Sequence, residues 1–183
     1  MNDAGTRVLM VRPNLNDLPD YSLPDGITAH WYTPGDGRQW VAIQQDAETH
    51  IDINDQTFVD QFHEDEEALK QRMCFLFDEN NKPIATASAW YDDYFHEADA
   101  GRIHWVAMVQ SAQGHGLAKP LLSIVCDQLR KLGHQRAYLF TATGRVPAIN
   151  LYLKYGFVPE YQDEEQRAAW EAIYPQLKYA PPK

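Results

Sequence analysis

Residues 108–119, M-V-Q-S-A-Q-G-H-G-L-A-K, hold the most informative chemistry in this sequence. An apolar run ends, a short polar turn carries Gly114 and Gly116, and an amphipathic run begins. Glycines at such a turn let the backbone adopt torsions closed to other residues and approach a ligand closely. The first N–H groups of the following helix lack intrahelical acceptors, and with the helix dipole they form a site for an anion such as a pyrophosphate. The plainer reading of a glycine pair before a helix is a turn. Two familiar phosphate loops do not fit. A P-loop needs Lys-Ser or Lys-Thr after its last glycine, and Lys119 is followed by Pro120. The dinucleotide fingerprint G-x-G-x-x-G needs a small residue where Lys119 stands.

The rest of the chain narrows the classes. Its 183 residues are the length of one domain with a substantial core, expected to span 1–183 with a motif-bearing core at about 73–161 and a helical tail at about 163–183. Hydrophobic residues make up 44% and aromatics 12%, which argues against disorder. Sixteen Lys and Arg against 26 Asp and Glu give a charge of −10, which disfavours nucleic acid as a partner and suits a cationic substrate. No apolar run is long enough to span a membrane, and the first ten residues do not read as a secretion signal. Cys74 and Cys126 sit in apolar runs without metal-ligand spacing, so they read as buried core thiols, no metal site is expected, and a reducing cytoplasm fits.

Periodicity and breakers supply the elements. Residues 7–12, 27–33, 73–77, 83–91, 101–109 and 136–141 read as strands, with a further strand from Phe157. Residues 38–47, 55–72 (in one piece or two), 116–132, 147–154 and 163–174 read as helices. Phe58, Phe62 and Leu69 are candidate buried positions, and the acidic run 64–67 reads as a solvated face. Pro120, near the start of its helix, removes an N–H that has no partner there in any case. The fold class is mixed α/β.

Gln113-Gly114-His115-Gly116-Leu117-Ala118 matches the pattern Arg or Gln, two residues, Gly, one residue, Gly or Ala. Further on, residues 148–157 read A-I-N-L-Y-L-K-Y-G-F. In both segments, and in the strand Trp105–Val109 before the first, the sequence resembles the GNAT superfamily of acetyl-CoA-dependent N-acetyltransferases. The resemblance covers residues 73–161 and is only topological before them. It implies the GNAT acyl-CoA N-acyltransferase fold, a mixed, mostly antiparallel sheet flanked by helices, splayed between the family's fourth and fifth strands. It implies acetyl-CoA as donor, its pyrophosphate held by the backbone of Gln113, Gly114, His115, Gly116, Leu117, Ala118 and Lys119. The pantetheine arm would pair like an extra strand with Val106, Ala107 and Met108, where a backbone amide can also stabilise an oxyanion. His115 would act mainly through its N–H. Tyr152 takes the position of the general acid that protonates the leaving thiolate, a role that suits a phenol.

The family's strand glutamate has no counterpart, since Arg102 and His104 stand in that region. Strict alternation would put Arg102, His104, Val106 and Met108 on one face, which makes His104 a candidate general base. A half-buried strand histidine making one hydrogen bond is the competing reading. Asp92, Asp93, Glu97 and Asp99 are either a base or an acidic rim for a cationic amine. Arg145 replaces the asparagine many members carry, with Asn150 elsewhere on the helix; Arg145 either reaches a phosphate or lies in solvent. Trp31, Tyr32, Trp90, Tyr91, Tyr94 and Phe95 either line an acceptor pocket or pack. Tyr155 reads as packing, and Trp170 either meets a second copy in a homodimer or anchors the terminal helix. The expected reaction is acetyl transfer to the primary amine of a small molecule or peptide, by direct attack in a ternary complex. The rival is a non-catalytic acyl-CoA sensor on the same scaffold.

Overall fold

The computed structural model describes residues 5–48, 51–63, 65–91 and 100–179. The segment with Asp92, Asp93, Tyr94, Phe95, Glu97 and Asp99 lies outside them. Among the described residues, seven strands form one sheet: β1 (Arg7–Arg12), β2 (Thr28–Trp31), β3 (Met73–Phe77), β4 (Pro83–Trp90), β5 (Ala100–Met108), β6 (Arg136–Ala142) and β7 (Val158–Glu160). Six α-helices among the described residues flank it: α1 (Gly37–Ala47), α2 (Asp55–Phe62), α3 (Glu66–Arg72), α4 (Ala118–Lys131), α5 (Val146–Lys154) and α6 (Glu164–Ile173). The 55–72 run is two helices, because Asn54 caps α2 in a capping box with Thr57 and Asp65 caps α3 through the Ala68 amide. Glu66 and Glu67 are exposed in the first turn of α3, where the helix dipole favours them.

The strand order is β2-β3-β4-β5-β6-β1-β7, and every neighbouring pair is antiparallel except β5–β6. The family's fourth and fifth strands are therefore β5 and β6 of this chain. The N-terminal strand β1 is inserted between β6 and β7. Its Val8, Leu9 and Met10 are fully buried, as a central strand covered on both faces requires. On β4, Trp90 meets Phe62 of α2, so the alternate residues Ala85, Ala87 and Ala89 face α4. These small side chains let the helix settle close, with Leu121, Leu122, Val125, Cys126 and Leu129 of α4 fully buried. Cys74 and Cys126 are free and buried, and burial pushes both thiols up to about 12. Trp170 is fully buried within its own chain and anchors α6. Among the described residues, no helix is long and apolar enough to cross a membrane.

Two irregularities shape the site. The parallel β5–β6 pairing is confined to Ala100↔Arg136, Gly101↔Ala137 and Arg102↔Tyr138, after which the strands part. The edge of β5 beyond Arg102 is left open toward β6, while its other edge pairs with β4. The second is a bulge. Ser88 and Thr86, two apart on β4, oppose His104 and Ala107, three apart on β5. Trp105 absorbs the extra residue with φ +48°, a left-handed torsion unusual for a tryptophan.

Candidate active site

A cleft of ≈ 640 Å³ opens where β5 and β6 part. Its walls are Val106, Ala107 and Met108 of β5, residues of the glycine loop and of the start of α4, and one face of α5 that includes Tyr152. Every residue expected from sequence to hold the donor lines this cleft except His115, which is exposed. The helix begins at Ala118, and Pro120 is its third residue, inside the turn that lacks acceptors for its N–H groups. Lys119 N–H reaches Gly116 O at 3.3 Å and Leu121 N–H reaches Leu117 O at 3.2 Å, so the amides ahead of Lys119 precede the helix's own ladder. Gly114 and Gly116 have φ of +79° and +81°, and a Cβ on either would point into open space. Gln113 turns its side chain back, donating from Nε2 to Met108 O at 3.0 Å and tying the loop to the end of β5. An open strand edge, a helix start with free amides and glycines that keep the approach clear fit an acyl-CoA donor with an amide-bearing arm and a diphosphate.

Tyr152 is 7% exposed and lines the cleft. Its ring meets Phe157 edge-on at 6.1 Å. Burial pushes its phenol up to about 12, with the Arg145 charge working the other way, so it stays protonated through neutral pH. The Gly-Phe end of the second motif has a local reason. A side chain at Gly156 would collide with the guanidinium of Arg12, which donates to Tyr155 O and to Asp17 O. Tyr155 is packing, as expected: its ring is buried, and its hydroxyl donates to Lys119 O and lies 2.8 Å from Ser123 Oγ.

The bulge overturns the expected alternation. His104 shares its face with Ala107 rather than with Val106 and Met108, because the extra residue at Trp105 flips the pleat. His104 instead lines a second cavity of ≈ 420 Å³, with Asp60, Gln61, Phe62, His63, Asp65, Trp90, Tyr91 and Arg102. Burial, reinforced by the charges of Arg102 and Arg7, holds its imidazole well below 6.5 and therefore neutral at pH 7. Of the aromatic residues proposed for an acceptor pocket, Trp90 and Tyr91 line this cavity, stacked at 5.4 Å. Tyr32 stacks on Phe58, and Trp31 is on the edge strand β2. Arg145 does not line the donor cleft; its guanidinium pairs with Glu48 at the end of α1.

Sequence reading missed the residues that hold the bulge. Gln44 of α1, 3% exposed, donates from Nε2 to Trp105 O at 3.1 Å. Gln61 of α2 accepts the indole N–H of Trp105 at 2.9 Å, and Trp40 meets the same ring edge-on at 5.1 Å. The available signal was a glutamine on the buried face of α1, one turn after Trp40. Gln44→Leu is expected to leave the Trp105 carbonyl unpaired, lowering stability by about 1–3 kcal/mol in chemical denaturation. It is also expected to lower kcat about tenfold in a thiol-release assay. A loss of stability with kcat unchanged would leave Gln44 structural only.

The sequence model of the Acetyltransferase (GNAT) family matches residues 37–157. Similar proteins include the mycothiol acetyltransferase of Pseudarthrobacter chlorophenolicus, 27% identical over 146 residues that cover 77% of this chain and 45% of that one. The mycothiol acetyltransferase of Thermomonospora curvata is 29% identical over 171 residues, covering 84% of this chain and 52% of its own. The chain thus spans about half the length of these relatives. A solved GCN5-related N-acetyltransferase from Sphaerobacter thermophilus shares the fold, with a TM-score of 0.71 at 20% identity, covering 84% of this chain and 48% of that one. The splayed strand pair and glycine loop agree with this match, which takes in α1 through Phe157, and the chain belongs to the GNAT acetyltransferase family.

Proposed function

We propose that this chain transfers the acetyl group of acetyl-CoA to a primary amine, the amine attacking directly while both substrates are bound. The observation that carries this reading is that β5 serves two cavities. Val106, Ala107 and Met108 line the donor cleft, Arg102 and His104 line the second cavity, and the bulge at Trp105 lies between them. When bound, the donor supplies an acetyl group activated as a thioester. The loop from Gln113 to Lys119 holds the diphosphate with its backbone amides, and the open edge of β5 holds the amide-bearing arm. A backbone amide of the same edge, at Val106, meets the acyl oxygen as it gains negative charge. Tyr152 donates its proton to the departing sulfur. The amine enters by the second cavity, where Asp60 and Asp65 supply negative charge and Trp90 and Tyr91 an aromatic wall. Neutral His104 accepts its proton. A small-molecule amine suits a cavity of ≈ 420 Å³. Two free, buried thiols suit a reducing cytoplasm.

Titration calorimetry with acetyl-CoA tests the donor, and thiol release against polyamines, amino acids, aminoglycosides and peptides tests the acceptor. No saturable binding at millimolar acetyl-CoA would end the reading; binding with no turnover on any amine would favour the acyl-CoA sensor.

The base has its own test. An imidazole held below 6.5 is deprotonated, and able to accept, throughout neutral pH; activity falls only as pH drops through the lowered value. Burial and the charges of Arg102 and Arg7 set where that occurs, and Asp60, Asp65 and His63 line the same cavity. The acid limb of kcat/KM is expected below pH 6.5. His104→Gln is expected to abolish that limb and lower kcat about 10²-fold. An unchanged limb in the variant would assign the proton to another group.

A further inference from the structure

The outer part of the donor cleft carries residues that the reaction does not use. Lys154, at the end of α5, and Lys178 and Tyr179, in the segment after α6, line it together with Lys119. A chain of charge −10 thus gathers three ammonium groups on one cleft. Lys119 and Lys154 both lie over the ring of Tyr21, at 5.6 and 5.4 Å. The neighbouring Tyr21 hydroxyl, with Tyr179 a smaller influence, holds the Lys154 ammonium above its ordinary value, so it stays charged. Among the described residues none of the three lysines has a carboxylate partner, although carboxylates outnumber cations in the chain. Like charges collected without counter-charges disfavour one another and favour a bound anion.

The tail is fixed where it meets the cleft. The Lys178 N–H donates to Asn150 Oδ1 at 2.7 Å, and Asn150 Nδ2 donates to Val146 O at 3.0 Å. Asn150 is 8% exposed, and Leu177 packs against the core, so Lys178 and Tyr179 are held at the wall of the cleft. Tyr179 is 44% exposed and presents an aromatic face there.

We propose that Lys154 and Lys178, with Lys119, form a second anion subsite that takes the 3′-phosphate of coenzyme A, and that Tyr179 packs against its adenine. The helix dipole acts within the first turn, so it serves the diphosphate, and a phosphate monoester one nucleoside away needs cations of its own. Such a monoester carries about −1.5 to −2 charges at neutral pH, which ammonium groups bind as point charges. Aromatic faces stack on any base, which is the chemistry Tyr179 offers adenine. This inference rests on acetyl-CoA being the donor.

Calorimetry with coenzyme A and with 3′-dephospho-coenzyme A separates the two claims, using the wild type and the exposed double variant Lys154→Gln/Lys178→Gln. The wild type is expected to bind coenzyme A about tenfold or more tightly than the dephospho form, with the margin shrinking as salt is raised. The double variant is expected to bring the two ligands within about threefold of each other by weakening only coenzyme A. Tyr179→Ala is expected to weaken both by a similar factor, about tenfold. Equal wild-type affinity for the two ligands overturns the subsite and leaves the donor intact, whereas binding of neither overturns the donor itself. A preference undiminished in the double variant overturns the lysine assignment, and an unchanged affinity in Tyr179→Ala overturns the adenine contact.

Discussion

Tyr152→Phe is expected to lower kcat for acetyl transfer about 10²–10⁴-fold at pH 7, while the calorimetric affinity for acetyl-CoA stays within about twofold of the wild type. The asymmetry follows from what the substitution removes. The ring keeps its edge-on contact with Phe157 and its place in the cleft wall, so packing and donor binding survive. Only the hydroxyl is lost, and with it the proton for the departing sulfur. A thiol has an ordinary value of about 8.5, so near neutrality the departing sulfur ends as the thiol and takes up a proton. The effect is therefore largest at low pH and shrinks above about pH 8.5, where the thiolate is stable unaided. With its phenol pushed up to about 12, Tyr152 is protonated throughout that range, so the wild-type enzyme shows no alkaline limb from this group. A variant within threefold of wild type at pH 7 would remove Tyr152 from the reaction and shift weight to the sensor reading.

How much of this site was legible in the sequence depends on whether its parts are local. The glycine loop and the segment from Ala148 to Phe157 are contiguous, and each element carries its own reason for its residues: positive φ at Gly114 and Gly116, and again at Gly156. These parts are found by reading along the chain. The bulge is not, because its register is a relation between β4 and β5, and Trp105 is an unremarkable strand residue until Gln44 and Gln61 are brought against it. The expected shared face of His104 with Val106 and Met108 failed for that reason, since a period of two carries no mark of an inserted residue. The pairing of β1 with β6 and β7 joins opposite ends of the chain, and the seating of Lys178 on Asn150 joins the tail to α5. Neither leaves a periodicity to follow. Arg145 was ambiguous for the same reason, its partner Glu48 lying at the far end of α1. What was missed is long-range pairing, and it decides which side chains share a cavity.

The anion loop can be tested against a control built into the same fold. Gly116 and Gly133 have φ of +81° and +90°, and a Cβ on either meets nothing within 4 Å. Gly116→Ala and Gly133→Ala therefore incur similar left-handed strain, on the order of 1 kcal/mol, and neither creates a clash. Their midpoints in chemical denaturation are expected to fall together. Their functions are expected to diverge. Gly133 follows the C-terminal end of α4, whereas Gly116 lines the donor cleft, where open space around the missing Cβ is space for the ligand. A methyl there holds a diphosphate away from the amides at the helix start, and loss of one or two charge-assisted hydrogen bonds weakens coenzyme A about 10²-fold. Gly133→Ala should bind coenzyme A as the wild type does. Equal affinity in the two variants would mean that the backbone around Gly116 does not meet the diphosphate, and the donor would have to be held by the strand edge and the lysines alone. The control matters because a binding defect in Gly116→Ala taken singly has two explanations, a strained loop and an obstructed ligand. The matched strain at Gly133 removes the first.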